Sequence, residues 1–395
     1  MKQVFISLSF ILFFFHSSGQ IEYPITAKII VTDAYFDIKV EDPYRWLEDD
    51  TSPQVKEWIT KQNELTFSYL EKIPQRKILK NRLEELWNYE KIGTPFNKGD
   101  YTYFYKNDGL QNQYVLYRKK GEEQEEVFID PNQFSENGTI YLAGISFSED
   151  GSLLAYSISE GGSDWRKVIV IETERKTMVE DTLLDVKFSG ISWNGNKGFY
   201  YSSYDKPENS VLSDKTDRHK LYYHQLNTLQ KDDKVIFGQK EKFRYVSGYI
   251  TRDQNYLVIS ASKATSGNNL YVKDRNKENS EIIQITHNFE SNSRISHNIG
   301  SKLYISTNLN APNKKLIIVD ANAPLVENWI DFILETENVL NVSKGGGYFF
   351  AKYFADANSK ILQYKYDGEL VREVEFSGKG NVSGFGGKED QKEIF

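Results

Sequence analysis

Residues Ala143 to Ser159 read AGISFSEDGSLLAYSIS, and this stretch decides the fold. An apolar strand runs into a turn marked by Asp150-Gly151, and a second strand of mixed small and large residues follows. Asp-Gly between apolar runs is a strong hairpin signal, because both residues tolerate the positive φ that tight turns need. Related units recur along the chain. Phe188–Trp193 leads to Gly198–Ser203, Tyr245–Thr251 leads to Tyr256–Ser260, and weaker copies run from Ser293 to Thr307 and from Val339 to Lys352.

The second strand of each unit starts at Tyr101, Leu153, Phe199, Tyr256, Leu303, Tyr348 and Glu393, spacings of 52, 46, 57, 47, 45 and 45 residues. A period of roughly 40 to 50 residues with several short strands per unit is the mark of a β-propeller. Seven markers predict a mainly β, seven-bladed propeller over 89–395 whose seventh blade is incomplete at its C-terminus.

Composition narrows the functional classes. The chain of 395 residues has a net charge of −7, which argues against a nucleic-acid partner, since phosphate binding wants clustered Lys and Arg. It has no cysteine, which excludes disulfides, thiolate metal sites and a Cys nucleophile. The 26 Tyr and 24 Phe suit strands with one face on a core and one in water. At the N-terminus, Lys2, the apolar run Val4–Phe15 and the small residues Ser17-Ser18-Gly19 read as a signal peptide over 1–19, cut near Gly19-Gln20. The run falls short of the roughly 20 residues that span a bilayer. The expectation is an exported protein, periplasmic or secreted, with no membrane contact after cleavage.

Ahead of the repeats, 20–88 is of another kind. Ser52-Pro53 opens a helix striped by Val55, Trp58, Ile59, Gln62, Leu65 and Tyr69. Pro74 opens a second, with Leu79, Leu83 and Leu86. These stripes must bury on something, and a propeller rim is a poor candidate. Left uncovered, Trp46, Leu47, Trp58, Leu83 and Trp87 would face water.

No complete catalytic set is present. A serine hydrolase carries its nucleophile on a sharp turn, usually G-x-S-x-G, and no such string exists. His219 and His224 are five apart, so on one strand they point to opposite faces and make a poor ligand pair. No phosphate loop, metal constellation or cofactor motif appears.

The strings become specific when taken together. Asp42–Asp49 (DPYRWLED), the two helices after it, Phe147–Gly151 (FSEDG), Gly161–Trp165 (GGSDW) and Val186–Trp193 (VKFSGISW) resemble the prolyl oligopeptidases, most nearly their exported bacterial prolyl endopeptidases, over Gln20–Phe395. The resemblance implies a propeller capping an α/β-hydrolase domain that carries a Ser-Asp-His triad and cleaves short peptides after proline, with no metal and no cofactor. It implies that the helical segment 20–88 belongs to that hydrolase domain, which is missing from this chain, and that the propeller acts as a size-selecting gate. Two positions carry over. Phe188 matches an aromatic that lines the substrate cleft, and Asp164 matches a carboxylate that orients a substrate-binding arginine of the hydrolase domain. Without the resemblance, Phe188 reads as a blade-core residue and Asp164 as a turn aspartate. Some members carry an arginine and a cysteine after the fourth repeat's strand, where Ser260–Ser266 offers neither and only Lys263 supplies charge.

The function expected is thus the propeller portion of a serine peptidase acting on short proline-containing peptides, inactive by itself for want of a triad. The competing reading is a stand-alone propeller that binds peptides or proteins without catalysis. A frame running on past Phe395 to a G-x-S-x-G turn separates the two.

Overall fold

The computed structural model describes residues 21–206 and 216–392. The leader read over 1–19 and the seventh strand marker at Glu393 lie outside the described residues. The chain separates into two compact units, one up to Leu86 and one from Trp87 onward.

In the first unit, a hairpin (Val31–Tyr35 with Ile38–Asp42) precedes helix α1, Pro53–Glu71, and helix α2, Gln75–Trp87. Pro53 takes the first helical position after Ser52, whose backbone is extended. The extended lead straps part of the apolar stripe. Trp58 Nε1 donates to Thr26 Oγ1 at 2.9 Å, Trp46 Nε1 to the Ala27 carbonyl at 2.9 Å, and Val55 is buried. The expectation of five uncovered large side chains therefore needs correction: Trp46, Leu47 and Trp58 are half-buried. Leu83 and Trp87 do remain exposed, at 60% and 62%.

The second unit is a propeller of antiparallel sheets in which most strands pair with the one before them; in blade 2 the strand Leu183–Lys187 pairs instead with Trp165–Glu172. Its second strands are Tyr101–Asn107, Leu153–Glu160, Gly198–Ser203, Tyr256–Ser262, Lys302–Thr307 and Tyr348–Ala355. They start at or beside six of the seven sequence markers. The expected seven-bladed ring is overturned: the described residues form six blades. After the last strand of blade 6, Leu370–Glu373, the chain returns to that blade instead of opening a new sheet. Ser359 N–H donates to the Gly380 carbonyl at 2.9 Å, Gly346 N–H to Lys388 at 2.8 Å, and Gly387 N–H to Lys344 at 2.9 Å. Backbone groups need partners, and here blade 6 supplies them. Spacing alone could not tell another blade from a tail packed on the last one.

The core lies between successive sheets, as blade 4 shows. Along Tyr256–Ser262, Tyr256 and Val258 enter a cluster with Leu303 and Ile305 of blade 5. The alternate residues Leu257, Ile259 and Ala261 enter a cluster with Leu221 of blade 3. Successive side chains of a strand point to opposite faces, so a sheet covered on both sides is apolar throughout. Burying one such Ile contributes about 1.5–3 kcal/mol.

The turn at Asp150-Gly151 connects Ile140–Phe147 to Leu153–Glu160 through five residues, longer than the tight turn that the dipeptide suggests. Asp150 Oδ1 accepts from Ser148 Oγ at 2.7 Å and from Ser152 N–H at 3.0 Å. Burial opposes the charge, but these bonds prevail and hold its pKa down to about 2. Gly151 has φ +76°, and a Cβ there would lie 2.4 Å from Gly99 N in the blade 1 turn. Only glycine allows that approach.

Candidate functional site

One end of the ring gathers the second-to-third strand turns and the starts of the first strands, and both residues singled out in the sequence lie there. Trp165 pairs with Lys187 across two antiparallel strands of blade 2. Asp164 and Phe188 are one residue beyond on each strand, so the ladder brings them to the same end. Asp164 is exposed, in the turn before Trp165–Glu172.

Phe188 follows the strand Leu183–Lys187, in a left-handed conformation with φ 50°. That conformation costs a non-glycine residue roughly 1–2 kcal/mol. The ring is 41% exposed. A blade-core residue would be covered; Phe188 is not. Its partners come from two further blades: Tyr204 at 6.3 Å and Tyr245 at 5.6 Å between centroids, both edge-on. Such contacts hold an exposed ring in place at about 0.5–1.5 kcal/mol each.

A buried histidine supports the arrangement. His219 Nδ1 lies 2.7 Å from the Val246 N–H, which can only donate, so the ring proton sits on Nε2 and is donated to the Lys187 carbonyl at 2.9 Å. Burial pushes its pKa down to about 4 against the opposing Lys187 hydrogen bond, so the ring is neutral near pH 7. Tyr204 stacks on it at 4.3 Å and donates its hydroxyl to the Arg244 carbonyl. One neutral imidazole thus ties the residue before Phe188 to the first strand of blade 4, Tyr245–Ile250.

Beside Phe188 opens a cavity of about 480 Å³, lined also by Tyr204, Tyr245, Arg244, Lys242 and Lys263. The described residues contain no cluster of three His, Cys, Asp or Glu side chains able to hold a metal. No helix among them is long and apolar enough to cross a membrane.

The model of the prolyl oligopeptidase N-terminal β-propeller domain matches residues 23–395. The chain belongs to the prolyl oligopeptidase family. It is 52% identical over 382 residues to the prolyl endopeptidase of Elizabethkingia miricola and 51% identical to that of Elizabethkingia meningoseptica, covering 96% of this chain and 54% of each relative. The chain therefore spans about half the length of the curated relatives it matches. Among solved structures, one from a study of two prolyl endopeptidases superimposes with a TM-score of 0.82 at 27% identity, over 94% of this chain and 56% of that one. Prolyl oligopeptidase B from Galerina marginata, bound to a 35-residue hydrolysis and macrocyclisation substrate, gives 0.81 at 28% identity, over 95% and 56%.

Phe188 and Asp164 were singled out through resemblance; nothing in the sequence placed Lys187, His219, Tyr204, Arg244 or Tyr245 beside them. Tyr245 is 57 residues from Phe188, and no local pattern links the two. His219 and His224 take no common ligand. Each enters its own buried network, His219 below this site and His224 at the seam between blades 2 and 3.

Proposed function

We propose that this chain is the propeller portion of an exported serine peptidase that cleaves short peptides after proline, with the propeller acting as a size-selecting gate. The observation that carries the reading is the exposed aromatic end at Phe188, on a chain whose curated relatives are prolyl endopeptidases. In this reading Phe188, steadied by Tyr204 and Tyr245, contacts substrate. Asp164, exposed at the same end, fixes an arginine of the hydrolase domain through charge-assisted bonds. The nucleophile, base and oxyanion donors come from that domain.

The test uses the full-length protein. It should hydrolyse a proline–chromogen peptide, cleave short proline peptides, and leave a folded protein with exposed prolines intact. A full-length protein that binds proline peptides without turnover would support a binding module instead. N-terminal sequencing of the exported product should begin near Gln20; retention inside the cell with residues 1–19 attached would remove export from the proposal.

A further inference from the structure

We propose that Lys344 is a covalent modification site, a nucleophilic amine that small aldehydes reach through a cavity at the end of the ring opposite Phe188. The inference stands on that cavity and does not depend on the peptidase reading.

The cavity measures about 350 Å³ and gathers the ends of first strands and the turns after them, with Arg252 and Asp253 from blade 4, His297 from blade 5, Lys344 from blade 6 and Glu389 from the returning tail. Lys344 is half-buried and donates from Nζ to His297 Nδ1 at 2.6 Å. An ammonium can only donate, so Nδ1 carries the lone pair and the ring proton sits on Nε2. The imidazole is buried and packs on the rings of Tyr304 at 5.9 Å, Phe349 at 5.7 Å and Tyr366 at 4.8 Å. Its Nε2 lies 3.1 Å from Glu389 Oε1, but out of line for a hydrogen bond.

This partner sets Lys344 apart from an ordinary paired lysine. A carboxylate favours the charged ammonium and keeps the proton on, whereas a neutral imidazole accepts from a free amine as readily as from an ammonium. Among the described residues no carboxylate lies within ion-pair distance of Lys344 Nζ. Asp253, on the same cavity, is taken up by Thr251, Asn255 and Asn298. Burial lowers the Lys344 pKa; Glu389 opposes, Arg252 adds to the lowering, Asp253 opposes, and the balance stays downward. Glu149, Lys388 and Asp390 also face the cavity, so both signs of charge surround it and a neutral reagent is neither drawn nor repelled.

Free amine at a fixed pH rises about tenfold for each unit by which a lysine pKa falls, and desolvated lysines are the ones that form Schiff bases. The step needs no redox partner. Lys344 gives its ammonium proton to water, and the amine lone pair forms the N–C bond to the aldehyde carbon while the carbonyl π pair moves to oxygen. A proton passes from nitrogen to that oxygen to give the carbinolamine, and loss of water leaves the C=N bond. During the attack one amine N–H remains on His297 Nδ1, which leaves the lone pair free.

The experiment treats the full-length protein with propionaldehyde and cyanoborohydride, which reduces imines to stable propyl-lysines, and maps the labelled positions by peptide mass spectrometry. Near pH 7, Lys344 should be labelled roughly three- to tenfold faster than exposed lysines such as Lys240, and its labelling should set in at lower pH than theirs. His297→Phe keeps a ring in the packing but removes the acceptor, and should slow Lys344 severalfold relative to Lys240. Arg252→Gln removes the neighbouring positive charge and should slow it in the same sense; this side chain is exposed, so that variant tests the site even where His297→Phe fails to fold. Labelling of Lys344 no faster than that of Lys240, the same pH dependence for both, or a Lys344 rate unchanged in Arg252→Gln overturns the proposal.

Discussion

Nδ1 of His224 lies 2.7 Å from Oδ1 of Asp233, in a site where both side chains are almost wholly buried. The other ring nitrogen lies 3.2 Å from Oε1 of Glu180, also buried. The outer carboxylate oxygens are occupied too: Asp233 Oδ2 accepts from the Tyr201 hydroxyl and Glu180 Oε2 from Asn227 N–H, both at 2.8 Å. With a carboxylate at each nitrogen the ring is a doubly donating imidazolium. Burial opposes that charge, but the Asp233 and Glu180 hydrogen bonds outweigh it and push the pKa up to about 9. Glu180 lies in the chain of blade 2, and His224 and Asp233 in blade 3, so the imidazolium closes the seam between them.

Stability should therefore fall on the alkaline side. A folded pKa above the usual value of about 6.5 gives a contribution fully present below pH ~6.5 and lost as pH rises through about 9. The midpoint of thermal unfolding should drop between these limits, by an amount on the order of 3 kcal/mol in stability. His224→Gln should lower stability throughout and flatten this limb. An unchanged midpoint across the window would mean that the ring is not charged in the folded state.

The acid side is governed by His219, with the opposite sign. Its folded pKa of about 4 lies below the unfolded value, so its contribution is present above pH ~6.5 and is lost as pH falls toward 4. His297, also held down to about 4 by burial and by Lys344, adds to the same limb. Together with His224, these predict maximal stability near pH 6.5. His219→Phe should remove its own part of the acid limb while costing about 1–3 kcal/mol, because the Val246 N–H and the Lys187 carbonyl lose their partner.

Phe188→Ala in the full-length protein should reduce kcat/KM for cleft-filling peptides more than it reduces thermal stability. The ring is 41% exposed and the residue sits at positive φ, so truncation should cost less than the 3–5 kcal/mol typical of a core Phe. A large fall in melting temperature with unchanged kinetics would place Phe188 with the structural residues after all.

The chain spanning residues 20–395 should self-associate as its concentration rises. Leu79, Leu83 and Leu86 of α2 are 60%, 60% and 52% exposed and recur at helical spacing, and such stripes favour association. Light scattering on this chain and on a Leu79→Lys, Leu83→Lys variant should show oligomers in the first and fewer in the second. A monodisperse monomer at all concentrations would mean that the stripe is harmless.

What could be read along the chain was whatever repeats or sits close in sequence. The period of apolar hairpins located the second strand of each of the six blades, and the Ser52-Pro53 pair located the start of α1. Both are local: a strand announces itself by alternation, a helix by its first turn. The count of blades was not local. Glu393 fell at the right distance for another unit, yet the chain after Glu373 folds back on blade 6, where Lys344, Gly346 and Ser359 supply its hydrogen bonds. Phe188 and Asp164 were legible only as parts of distinctive strings. Tertiary structure alone joined them to the rest: the Trp165–Lys187 pair sets them at one end, and His219, Tyr204 and Tyr245 arrive from blades 3 and 4. The physical reason is that a propeller builds its faces from turns about 45 to 57 residues apart, so side chains that meet there leave no spacing rule in the chain. The same holds for His224, whose charge comes from hydrogen bonds to two carboxylates that outweigh its burial, one of them 44 residues away.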